Sequence, residues 1–104
     1  MDIFLRSVSA LNDETRVLIL RFLYENGDCC VCDLQMSLDM IQSRLSRHLK
    51  ILKDAGFLKV ERKGTWAYYS IRAPLDRFRS EALEEIKHLQ MILPELKSEC
   101  STKK

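Results

Sequence analysis

At 104 residues, 46% of them hydrophobic, the chain holds enough apolar material for one small domain with one core and no second. Its net charge of +2 is unevenly spread, since residues 42–63 carry seven Lys/Arg against Asp54 and Glu61 while the remainder is net acidic. Charge gathered on one stretch suits a polyanion met by one surface and excludes a protein that coats a membrane with its whole body.

No apolar run has the length of a membrane span and the first residues lack a signal-peptide layout, so a cytoplasmic location with no membrane partner is expected. Ile3, Phe4, Leu5, Val8 and Leu11 predict a short first helix. Asn12 or Asp13 can cap a second, Glu14 to Tyr24, which offers Val17, Leu18, Leu20 and Leu23 to the core and stops at Asn26-Gly27. The segment Cys29 to Cys32 then leads into a short helix over Asp33 to Leu38.

The next stretch, Gln42 to Leu52, is the most informative. Leu45, Leu49 and Leu52 fall on one side of a helix, and Gln42, Ser43, Arg44, Arg47 and Lys50 on another, so one face wants a core and the other wants anions. Ile41 before it offers no capping side chain, and Ala55-Gly56 supplies its end. Leu58 to Arg62 and Trp66 to Ile71, separated by Lys63-Gly64-Thr65, predict a hairpin in which Trp66, Tyr68 and Tyr69 either pack inward, the commoner use, or flank a groove. The last helix is expected from Leu75 to Leu93, with Phe78, Ala82, Ile86 and Leu89 on its stripe and Pro94 ending it.

The expected architecture is therefore mainly α with a small β-hairpin, one domain over residues 1–97 and a flexible polar tail over residues 98–104. A last helix this long, together with the first, carries more apolar surface than one small core consumes, which predicts a homodimer through the first and last helices. A twofold would set two Gln42 helices ~34 Å apart, one turn of double-stranded DNA. Gln42 and Ser43 can hydrogen-bond base edges, Arg44 and Arg47 can grip a guanine edge or a phosphate, and Lys50 adds phosphate attraction.

Four cysteines, three of them within Cys29-Cys30-Val31-Cys32, in a chain with no expected secretory signal favour metal or redox chemistry over structural disulfides. Sulfur without a nearby His selects soft ions, and As(III) or Sb(III), which takes three sulfurs in a pyramid, suits the cluster. Two alternatives stay open. A thiol redox switch would join Cys29 to Cys30 or Cys32 to Cys100, and a Cd or Pb site would use four thiolates including Cys100. With two histidines, no glycine-rich phosphate loop and no nucleophile-base pair, neither an enzyme nor a catalytic cofactor is expected.

The stretches Leu11-Asn12-Asp13-Glu14-Thr15-Arg16-Val17-Leu18-Ile19-Leu20, Ser43-Arg44-Leu45-Ser46-Arg47-His48-Leu49-Lys50 and Asp54-Ala55-Gly56-Phe57-Leu58 resemble the ArsR/SmtB family of winged helix-turn-helix repressors. The resemblance covers roughly residues 2–93 and implies a homodimer that sits on operator DNA and leaves when an inducer binds. It also implies that the helix at Gln42 enters the major groove, that Gln42, Ser43, Ser46, Arg47 and His48 contact DNA, and that Arg62 and Lys63 do so from the hairpin. Cys30-Val31-Cys32-Asp33-Leu34 is similar to the metal-binding box of the arsenic-responsive members.

In that box Cys30 and Cys32 are the matching ligands, whereas the usual third position falls on Gln35, so a third sulfur comes from Cys29, which is nearest in sequence, or from Cys100, or is absent. The implied function is metalloid-responsive repression. Residues i and i+2 lie about 200° apart on a helix, so joint capture by Cys30 and Cys32 is expected to reshape a regular turn ahead of Asp33.

Overall fold

The computed structural model describes residues 1–97. Its elements in order are α1 (Asp2–Ala10), α2 (Glu14–Asn26), β1 (Cys29–Cys30), α3 (Val31–Leu38), α4 (Gln42–Asp54), β2 (Leu58–Lys63), β3 (Trp66–Ile71) and α5 (Arg77–Lys87). The expected tail, residues 98–104, and with it Cys100, lies outside the described residues. No helix among the described residues is long and apolar enough to cross a membrane.

The hairpin forms as expected, with β2 and β3 antiparallel from Leu58 opposite Ile71 to Lys63 opposite Trp66. A third strand was not foreseen. Cys29 and Cys30 pair with Tyr69 and Tyr68, giving a sheet of order β1-β3-β2. Two residues are too few to show a period, and their partner lies far along the chain. The helix expected from Asp33 accordingly starts at Val31, directly after the strand.

Leu45, Leu49 and Leu52 of α4 are fully buried, as their spacing predicts, against a core that includes Ile19, Leu20, Phe22, Leu34, Phe57 and Leu58. Each such side chain withdrawn from water contributes roughly 1.5–3 kcal/mol. On α2, Leu20 and Leu23 are buried and Val17 packs against the core as expected, whereas Leu18 is only half-buried and Ile19 and Phe22 take further deep positions. This helix packs against α4, α5 and β3 together, so its apolar residues do not confine themselves to one stripe. Asp13, one of the two expected caps, accepts the Arg16 amide at 3.1 Å.

The last helix is shorter than its apolar spacing suggests. It runs from Arg77 to Lys87 with Asp76 as its N-cap, and Leu89 and Leu93 lie beyond it. Arg21 of α2 donates to the carbonyls of Ile86 at 2.9 Å and Leu89 at 2.7 Å, supplying the partners that a further helical turn would supply. His88 closes the end by donating from Nδ1 to the Glu84 carbonyl at 2.8 Å. The long apolar stripe that motivated the dimer therefore breaks up, but α1 still exposes Ile3, Phe4, Leu5 and Val8.

One side chain joins α1, α4 and α5. Arg79 donates from Nε to the Ala55 carbonyl at 2.7 Å and from Nη2 to Ser7 Oγ at 2.6 Å, and pairs with Asp76 at 2.8 Å. Gly56 makes this approach possible, since its φ of +89° is in the left-handed region and a Cβ there would lie 2.7 Å from Arg79 Nε. Gly56→Ala is therefore expected to cost at least about 1–2 kcal/mol, read as a lower urea midpoint with an unchanged m-value.

Candidate nucleic-acid interface and adjoining cysteines

The outer face of α4 presents Gln42, Ser43, Arg44, Ser46, Arg47 and Lys50, all exposed, while the opposite face is sealed by its leucines. As the sequence implied, Ile41 provides no side-chain cap, so the first amides of α4 are left to solvent or to a ligand. Lys50 also pairs with Asp54 at 3.0 Å, an exposed contact of little energetic weight that leaves it available to an anion.

Two guanidiniums fix this helix in place. Arg79 holds the Ala55 carbonyl just past its C-terminus. Nearer its middle, Arg16 donates to His48 Nδ1 at 3.2 Å while its Nε reaches the Ala10 carbonyl at 2.8 Å and its Nη2 the Ser9 carbonyl at 3.4 Å. Arg16 thus ties the end of α1 and the start of α2 to α4. Sequence reasoning did not single it out; an Arg three residues after a capping Asp was the available signal.

Because a guanidinium only donates, His48 Nδ1 must accept, which leaves its Nε2 carrying the proton. Partial burial, with the charges of Arg16, Arg44 and Arg47, lowers the His48 pKa below its ordinary value against the opposing pull of Asp13. His48 is half-buried, unlike the other expected contact residues of α4. Asp13, Arg16, Arg44, Arg47, His48 and Ile51 line a cleft of about 260 Å³, a concentration of positive charge on the α2 side of the helix.

On the other side of α4, a cleft of about 380 Å³ opens between α3 and the hairpin. Its walls include Cys32 and Gln35 from α3, Gln42 and Ser46 from α4, and Arg62 and Trp66 from the hairpin. Three sets of residues that sequence reasoning treated separately meet here. Lys63, the other expected hairpin contact, pairs with Asp28 at 3.3 Å and lies 4.9 Å from the Tyr68 ring centroid. Tyr68 and Tyr69 are half-buried as packing residues, whereas Trp66 is 41% exposed.

The cysteines divide by environment. Cys29 sits in the hydrophobic core and donates to the Gly27 carbonyl at 3.5 Å. Burial first, then the charges of Asp33 and Asp28, push its thiol up to about 12. Cys30 is fully buried as the N-cap of α3, its Sγ accepting the Asp33 amide at 3.4 Å, where Ser or Asp usually stands. Cys32, half-buried on the first turn of α3 and lining the 380 Å³ cleft, is disulfide-bonded in this structure, unlike Cys29 and Cys30.

This corrects the turn argument. Cys30 has extended backbone (φ −78°, ψ 160°) and precedes the helix, so it and Cys32 do not share a regular helical turn. As neighbours on a strand, Cys29 and Cys30 project to opposite sides. Among the described residues no three of His, Cys, Asp and Glu gather as a metal site, and Cys100 falls outside them.

A sequence model described as "Bacterial regulatory protein, arsR family" matches residues 13–60. An arsenical resistance operon repressor of Bacillus subtilis is 48% identical over 62 residues, covering 60% of this chain and 59% of that protein. An HTH-type transcriptional regulator of Methanocaldococcus jannaschii is 47% identical over 62 residues, covering 60% of this chain and 70% of that one. The chain thus spans less than two thirds of the Bacillus protein. A homodimeric winged helix-turn-helix DNA-binding domain from Mycobacterium bovis superposes with a TM-score of 0.72 at 26% identity, covering 86% of this chain and 83% of that one. The fold is accordingly a winged helix-turn-helix, with α3 and α4 as the helix pair and β2-β3 as the wing. These relatives bear the names of regulators, and none bears that of an enzyme.

His48 makes a pH dependence testable. Its folded-state pKa is depressed, so as pH falls from about 6.5 the unfolded chain takes up a proton that the folded chain resists. The stability His48 contributes is present above its unfolded pKa and lost as pH falls through its folded one. The wild-type melting temperature should therefore drop more between about pH 7 and 5 than that of His48→Gln, which keeps an acceptor and cannot titrate.

Proposed function

This chain belongs to the ArsR family of bacterial regulatory proteins, and from that membership we propose that it is a cytoplasmic transcriptional repressor released from its operator by a trivalent metalloid. The inducer class is As(III) or Sb(III), in keeping with the arsenical resistance named for the Bacillus relative. The protein acts as a homodimer joined through α1 and α5, which suits the exposed Ile3, Phe4, Leu5 and Val8 on α1. A twofold then offers one α4 to each half of a palindromic site in double-stranded DNA.

In this reading Gln42, Ser43 and Ser46 face base edges. Arg44, Arg47, His48 and Lys50 meet the same strand region, and Arg62 and Lys63 of the wing add phosphate contacts. Cys30 and Cys32 capture the metalloid once the disulfide that Cys32 forms in this structure is reduced. A third sulfur from Cys29 would require β1 to turn over, because its side chain points into the core; Cys100 is the other candidate.

The observation that carries the proposal is the shared cleft, in which Cys32 stands on one wall and Gln42, Ser46 and Arg62 on the others. Drawing Cys30 Sγ to a metalloid removes it from the Asp33 amide and uncaps α3. Losing an N-cap costs about 0.5–2 kcal/mol, comparable with the 1–3 kcal/mol typical of coupling between two sites. Since α3 packs on both α4 and β3, a strained α3 displaces helix and wing together. By reciprocity, DNA weakens metalloid binding by the same factor.

The deciding experiment measures release of labelled promoter DNA by arsenite. Cys30→Ser and Cys32→Ser are expected to hold DNA as the parent does yet resist release; normal release in both would sink the assignment. On the DNA side, Gln42→Ala should erode discrimination against a mismatched operator by about 1–3 kcal/mol, whereas Arg62→Ala should weaken all sequences alike and lower the salt slope by about one. Both are read by titrating specific and nonspecific duplexes over a range of salt.

A further inference from the structure

The flank of α4 that faces α2 is built differently from its exposed face. At about 100° per residue, Ser43 stands opposite the buried leucines, at the middle of that face, and His48 lies about 140° round from it, on the α2 side with Arg44. A helix seated in a major groove turns the middle of its free face to base edges and its flanks to the phosphate walls. The cleft that His48 lines sets the guanidiniums of Arg16, Arg44 and Arg47 against the one carboxylate of Asp13. That carboxylate is already engaged, accepting the Arg16 amide at 3.1 Å and lying 3.9 Å from Arg16 Nη1.

The His48 ring is held in one state. Arg16 Nη1 meets its Nδ1 at 3.2 Å, and since a guanidinium only donates, the ring proton sits on Nε2. Among the described residues no other group hydrogen-bonds the ring, and Nε2 is not one of the polar atoms sealed from water. Arg16 is itself fixed from behind, by the carbonyls of Ala10 at 2.8 Å and Ser9 at 3.4 Å.

We infer, resting on the repressor reading above, that His48 Nε2–H grips a backbone phosphate of duplex DNA in this cleft, and that Arg16, which lies outside α4, is the positioning residue that makes the ring present that proton. A free neutral imidazole divides its proton between two nitrogens, and the bond made by one decides the state of the other. Partial burial and the charges of Arg16, Arg44 and Arg47, against the pull of Asp13, hold the His48 pKa below its ordinary value. Near neutral pH the ring is therefore an uncharged donor to a charged acceptor. Such a bond adds affinity without releasing a counterion of its own, and it reads no base. Arg16 also holds the end of α1, so the phosphate grip and the helix proposed for the twofold contact share one guanidinium.

The test titrates the full-length protein at pH 7.5, over a range of salt, with a labelled duplex carrying its own promoter and a scrambled duplex of equal length. His48→Asn keeps an acceptor near Nδ1 but has nothing at the place of Nε2; it should lose about tenfold in affinity on both duplexes with an unchanged salt slope. His48→Gln, whose longer amide can donate from that place, should recover most of the loss. Arg16→Lys, whose single ammonium cannot span the α1 carbonyls and Nδ1 together, should weaken binding about tenfold in the parent and at most about twofold in His48→Asn. Thermal melts confirm that each variant is folded at the assay temperature.

Parental affinity in His48→Asn would overturn the phosphate contact while the repressor reading stands. Additive losses in the double variant would remove Arg16 from it, and a loss confined to the promoter duplex would make His48 a base reader; either refutes the inference. A parent that binds neither duplex at any salt would end the repressor reading and this inference together.

Discussion

Everything in this molecule depends on holding α4 still. In the proposed role α4 has to keep its exposed side chains in register with base edges, and it exposes one face along its length. Three fully buried leucines set its depth and rotation. Two mostly buried guanidiniums set its position along its axis, Arg16 through His48 and Arg79 through the Ala55 carbonyl. Buried cations are costly to desolvate, and each of these is matched by several acceptors at once, so the fold gains directional constraint where leucines alone would permit sliding.

Beside this helix lies α3. Its N-terminus is capped by a sulfur, a softer acceptor than the usual oxygen, and β1 connects that sulfur directly to β3. Helix and wing therefore both meet α3. In the proposed mechanism the ligand need supply only the free energy of a helix cap, because the elements it disturbs are already packed against both DNA-facing parts.

The far side of the domain follows a different logic. Phe4 of α1 lies 5.2 Å from Phe78 of α5 between ring centroids, and around that pair α1 leaves apolar side chains in water. Arg21 stops α5 at Lys87, so the apolar residues beyond it are not displayed as one helical seam. The proposed twofold contact thus draws chiefly on α1 and the first turns of α5, with shape complementarity set by two short helices.

Local patterning was enough to determine α4, its buried leucines, its basic face, the hairpin and a cap at Asn12 or Asp13. Each of these is written in spacings of a few residues or in a turn residue of known preference. The Cys30-Val31-Cys32 box and the substitution of Gln35 were equally plain. What the sequence could not determine depends on residues far apart. The pairing of Cys29 and Cys30 with the hairpin, the early end of α5 under Arg21, the deep seats of Ile19 and Phe22, and the Arg16–His48 contact were decided only when the elements packed together. A side chain from one element satisfying the backbone of another leaves no periodic trace, and a cleft with walls from three elements exists only once the chain has folded.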